Sequence, residues 1–161
     1  MDVHEYLIDH ADIDWSLALQ EWNWLLPSEF SVWLLTRTGD LFITIPEGQI
    51  YMLDVGAGTL QQVAMSRDEF CAKIDEPGTA EDWLMIPIVD RLVASGAHLG
   101  PGQCYSFRPL PPLGGDYGAD NRMVFGIREH FGGWGSVQRQ ISQLPDGSQV
   151  VIKTTPQNDR T

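Results

Sequence analysis

The sequence is poor in cysteine, poor in lysine and free of long apolar runs. Two cysteines, Cys71 and Cys104, stand far apart with no CxxC pair, so neither a disulfide framework nor a zinc ribbon is available. No lysine lies between Lys73 and Lys153. "LGPGQ" and "LGGDYG" match neither GxxxxGK[ST] nor GxGxxG, and Asp116 stands where a phosphate wants a positive group. That excludes a phosphate-cradling loop. The start, "MDVHEYLIDHADID", is acidic and lacks the apolar run of a signal peptide. No apolar segment reaches membrane-spanning length. The expectation is a cytoplasmic, reduced chain.

What is present is acid, and aromatic residues that suggest a well-packed core, a sticky surface or both. The 161 residues include 22 Asp and Glu against 10 Lys and Arg, with six tryptophans. Residues 1–90 carry seventeen acids and three bases, whereas residues 91–161 carry five acids and seven bases. An acidic front half repels phosphate backbones, so direct nucleic-acid binding is not expected. The same charge speeds association with a basic protein, and it also serves plain solubility. At 43% hydrophobic residues the chain can bury a core.

Periodicity gives an α+β order. A helix is predicted over 15–26, where Trp15, Ala18, Leu19 and Trp22 share a face and Pro27 closes it. β-like runs follow at 31–38, 40–45, 49–55 and 59–64, with glycine-containing gaps that suggest an antiparallel meander. "SRDEFCAKID" (66–75) opens with a capping box, Ser66 to Glu69. A helix over 79–96 has Thr79 as cap, Gly96 as stop, and Pro87 inside it to kink or divide it. "CYSFR" reads as a strand, 122–131 as another, 134–144 as a helix, 145–147 as a turn and 148–153 as a last strand. The predicted fold is a single α+β domain over 1–153, a mostly antiparallel sheet with helices packed on it, followed by a flexible tail at 154–161.

Chemical constellations are weak. Cys104, His130 and Asn121 supply the residue types of a cysteine-nucleophile site, but no helix N-terminus follows Cys104, and a buried thiol is the plainer reading. His4, His10, Asp12 and Asp14 fit neither HExxH nor an EF-hand loop and read as a solvated helix end, so no metal is expected. Arg108 and Arg139 are lone cations in their stretches, read as solvated surface. No catalytic residue and no cofactor is assigned.

The order of segments carries a resemblance. "GD-L/F", "LD…G", "SRDEF", "LGPGQCYSF", "PPLGGDY" and "LPDG" occur in sequence over about residues 21–153. Together they resemble the carboxy-terminal domain of type VI secretion DNase-immunity proteins, and more distantly the SUKH immunity group. The resemblance implies a small non-catalytic cytoplasmic protein that binds and neutralises a secreted nuclease toxin. The expected partner is therefore a basic nuclease effector, with neither nucleic acid nor membrane as a direct partner. Candidate contact residues are loop acids and aromatics: Asp54, Asp116, Tyr117, Asp120 and Trp134. A homodimer stays open. So do two other readings: a ligand-binding or scaffold module of the same fold, and an enzyme with a cryptic Cys/His site.

Overall fold

The computed structural model describes residues 2–145. The turn at 145–147 lies partly, and the strand at 148–153 and tail at 154–161 wholly, outside the described residues. The predicted meander is present and gains one strand. β1 (Leu7–Ile8), β2 (Ser31–Thr36), β3 (Leu41–Thr44), β4 (Ile50–Asp54) and β5 (Thr59–Ala64) form a five-stranded sheet in sequence order, antiparallel throughout. β2 carries a bulge between Val32 and Leu34. A two-stranded sheet pairs β6 (Gln103–Phe107) with β7 (Arg122–Gly126). It docks on the first sheet through Tyr105 N–H, which donates to Arg37 O at 2.8 Å.

β3 is buried on both faces, and its alternation separates two cores. Leu41 and Ile43 point into the main core with Leu35, Leu53, Val55, Trp22, Cys104, Phe107, Ile127 and Phe131. Phe42 points the other way, against Phe70, Ala80, Leu84 and Ile86. There the Phe42, Phe70, Trp33 and Trp83 rings pack at centroid distances of 4.9 to 5.7 Å. The sheet thus lies between helices α2 (Arg67–Ile74) and α3 (Thr79–Trp83) on one side, and α1 (Trp15–Ala18), the small sheet and α5 (Ile127–Ser142) on the other. α4 (Ile86–Ala94) continues from α3 and packs Val89 and Leu92 against Tyr105. The molecule is one α+β domain, as the sequence predicts.

The helix signals hold in part. Ser66 Oγ accepts the Glu69 N–H at 3.1 Å, but the Glu69 carboxylate reaches Met65 N–H rather than that of Ser66. Pro87 divides the 79–96 helix. The break is at Leu84 and Met85, which leaves Pro87 in the first turn of α4, where its missing N–H costs nothing. The cap of α3 is Gly78, at φ 87°, not Thr79. Gly96 stops α4 as predicted, with the Ala97 and Gly96 amides returning to Leu92 O and Val93 O.

Three predictions need correction. The 15–26 helix is only α1 plus a 3-10 turn at Gln20–Trp22, because the chain bends to place Trp22 fully in the core, its indole N–H donating to Phe131 O at 2.8 Å. The acidic start is a 3-10 turn at Val3–Tyr6 and an edge strand, and only its last part is the predicted solvated helix end, where exposed Asp14 caps α1 by accepting Leu17 N–H at 3.3 Å. The strand predicted over 122–131 stops at Gly126. Ile127, His130, Phe131 and Gln138 are the inward stripe of α5, so the helical period takes over at Ile127, seven residues before the predicted start. Gly135 in that helix is required by close approach: a Cβ there stands 2.7 Å from Trp22 Nε1.

Candidate functional site

Of the five candidate contact residues, Asp54 and Tyr117 touch, and Asp116 and Asp120 lie on the same loop as Tyr117. Asp54 closes β4 and accepts from Ala57 N–H at 3.1 Å, forming the turn into β5. Tyr117 Oη donates to the same carboxylate oxygen at 3.4 Å, which draws the 108–121 loop onto that turn. The Tyr117 ring packs edge-on to Phe107, 5.7 Å between centroids. Burial and the adjacent Asp54 charge raise the Tyr117 pKa, so this hydroxyl remains a donor. Asp116 is exposed and closes an Asx turn on Gly118 N–H at 2.8 Å. Asp120 is also exposed, 3.7 Å from Arg91. Both partners there are largely solvated, so the pair contributes little.

The loop is rigid for reasons of backbone chemistry. Asn121 Nδ2 donates to Pro109 O and Asp116 O, 2.8 Å each, and so bridges the loop's two arms. Gly115 packs against the Pro109 carbonyl where any Cβ collides. Arg122, which follows, is buried. Its guanidinium stacks 3.9 Å over Phe107, and its nitrogens reach Tyr117 O, Thr38 O, Tyr105 O and Met85 Sδ. One arginine thereby joins the loop, both sheets and the α3–α4 break, where Met85 takes a left-handed φ of 49°.

Trp134 is placed elsewhere. Its indole N–H donates to Ser106 Oγ at 2.9 Å, and its ring packs on the main core. Ser106 in turn lies 2.7 Å from His130 Nδ1, and His130 Nε2 lies 2.9 Å from Gly39 O. A carbonyl only accepts, so Nε2 carries the proton, Nδ1 accepts, and the Ser106 hydroxyl donates to it. The chain Trp134–Ser106–His130–Gly39 is fully satisfied. Burial pushes the His130 pKa down to about 4, so the ring is neutral at pH 7.

That geometry dissolves the Cys/His reading. His130 is spent on Ser106 and Gly39, Asn121 on the loop backbone, and Cys104 is wholly buried with its thiol pKa raised by desolvation. The Ser106–His130 pair is equally shut away, at 1% and 0% exposure. His10 accepts from Trp15 Nε1 at 3.2 Å and donates to Trp33 O at 3.0 Å, which uses both ring nitrogens. Among the described residues no group of three His, Cys, Asp or Glu side chains is placed to hold a metal ion, and no helix is long and apolar enough to cross a membrane. Arg108 is exposed, and Arg139 sits 3.7 Å from Glu21. A cavity of about 770 Å³ opens between the N-terminal segment, the 99–103 loop and the start of α5. Its lining mixes Arg37 and Arg128 with Asp9, Asp12, Asp14 and Glu129, and none of the five candidate residues reaches it.

Sequence reasoning missed Asp40, Arg122 and Ser106, the buried polar groups behind the loop. The available signal was the alternation Thr36, Thr38, Asp40 where two apolar strands meet.

Of the candidate contact residues Asp116 and Asp120 are exposed, while Asp54 and Tyr117 are half-buried against each other. Residues 64–132 match the family model described as "T6SS immunity protein Tdi1, C-terminal". The match bears out the resemblance to type VI secretion immunity proteins and supports an immunity-type function. It runs from the end of β5 through the first turns of α5 and takes in the whole 108–121 loop, leaving β1 to β4 outside. Comparison with curated proteins finds no match.

Proposed function

We propose that this chain is an immunity protein that binds a nuclease effector and blocks it without catalysis. The family match carries the reading. Charge supports the choice of a nuclease: a surface that holds DNA is basic, and the proposed contact residues include the carboxylates Asp54, Asp116 and Asp120. The proposed contact surface is the Asp54 turn with the 108–121 loop, presenting Asp54, Asp116, Tyr117 and Asp120. Trp134 is assigned instead to holding α5 on β6. The reading requires no cofactor. A nuclease toxin acts where the DNA is, which makes the cytoplasm the proposed site of action.

The test is co-expression with nuclease toxins encoded beside this gene, scoring growth and co-purification. Rescue together with a stable complex supports the reading. Toxicity that persists without complex formation across that panel overturns it.

A further inference from the structure

Asp40 is a buried carboxylate without an ion pair. Its residue is 2% exposed, and among the described residues no cation lies within ion-pair distance of it. Oδ1 accepts Val55 N–H at 3.0 Å, and Oδ2 lies 3.4 Å from Thr38 Oγ1. Thr38 Oγ1 is 3.2 Å from Thr36 Oγ1, which accepts the Asp40 N–H at 3.0 Å. Arg122, whose charge acts on Asp40, directs its nitrogens to carbonyls and to Met85 instead. An unpaired charge in such a place is costly, so the carboxyl holds its proton more tightly than a solvated one.

The groups that face it come from every packed element: Asp54 and the Val55 amide from β4 and its turn, Arg122 from β7, Cys104 from β6 and Tyr117 from the loop. His130 of α5 meets the neighbouring Gly39 carbonyl. Burial and the Asp54 charge raise Asp40, while Arg122 and the two hydrogen bonds pull it back, leaving it at about 7.

The hydroxyl pair accommodates both states. With the carboxylate ionised, Thr38 donates to Oδ2. With it protonated, the acid donates to Thr38, which then donates to Thr36. What changes is the force on the turn. Ionisation strengthens the Val55 N–H bond and repels Asp54, whose carboxylate holds Ala57 N–H and Tyr117 Oη. Gln138, donating to Val55 O and Gly56 O at 2.9 and 3.1 Å, keeps the turn attached to α5 meanwhile.

We propose that Asp40 is a proton-sensitive post beneath the candidate surface, whose protonation sets how the Val55–Gly58 turn and Tyr117 are seated. This is a property of the isolated chain and does not depend on the identity of any partner.

The experiment is an NMR titration of the ¹⁵N-labelled full chain from pH 5 to 9. The Val55 amide is expected to shift with a one-proton midpoint near 7, with Ala57 following the same midpoint. Asp40→Asn abolishes that midpoint. Asp54→Asn, at a half-exposed position, moves it roughly half a unit lower, because a repelling charge is gone. Should Asp40→Asn fail to fold, the Asp54→Asn shift decides alone. A Val55 amide flat across the range, a midpoint that survives Asp40→Asn, or one unmoved by Asp54→Asn overturns the proposal.

Discussion

His130 and Gly39 meet across the sheet: the imidazole Nε2–H of α5 donates to the Gly39 carbonyl at 2.9 Å, beside the buried Asp40. The contact joins α5 to the β2–β3 turn and sets two titratable groups close together with opposite displacements.

Opposed pH dependence follows. His130 falls from 6.5 to about 4 on folding, so between those values the unfolded chain binds more protons and acidification costs stability. Asp40 rises from 3.8 to about 7, so its contribution is full below its unfolded pKa and is lost as pH climbs to 7. Within one window the two slopes oppose each other. Asp40→Asn is expected to unmask the histidine, with a loss of about 3 kcal/mol between pH 6.5 and 4. His130→Asn is expected to show the reverse slope. Urea denaturation across that range measures both.

Gly39→Ala is expected to be severe. The position has φ 79°, and a Cβ there runs into the His130 ring. Left-handed strain and overpacking together predict a loss of about 2–4 kcal/mol, read from the urea midpoint.

The glycines of α5 should separate cleanly. Gly135→Ala meets Trp22 and is expected to cost about 1–3 kcal/mol. Gly133→Ala meets nothing within 4 Å, sits exposed in a helix, and is expected to add roughly 0.5–1 kcal/mol. Thermal melts of the two variants move in opposite directions.

Thiol reactivity should be all or none. Cys71 is exposed, and Cys104 is buried with a raised pKa. A disulfide reagent at pH 8 is expected to modify one thiol per chain at once, and the second only in denaturant.

Much of this was legible in the sequence, and the failures have physical causes. The meander, the Ser66 cap and the Gly96 stop are local, written in turn and cap residues, and they read correctly. β1 is two residues long and exists only because β2 offers it an edge. The switch at Ile127 was hidden by Gly126, Gly132, Gly133 and Gly135, which depress helix propensity while tertiary packing of Ile127, His130 and Phe131 overrides it. The loop's outline was visible in its prolines and glycines. Its support was not, because Asp40 and Arg122 look like surface charges until the fold buries them. Trp134 drew attention as an aromatic near a loop, and only the structure reveals the Ser106 hydroxyl that takes its N–H.

Docking of a basic nuclease by the loop carboxylates is the proposed mode of binding. The most direct measurement is titration calorimetry against a cognate toxin at two salt concentrations, with the wild type and an Asp54→Asn, Asp116→Asn, Asp120→Asn triple variant. Roughly tenfold or greater loss of affinity in the variant is expected, with a shallower salt dependence than wild type. Equal affinity and an unchanged salt slope would contradict it.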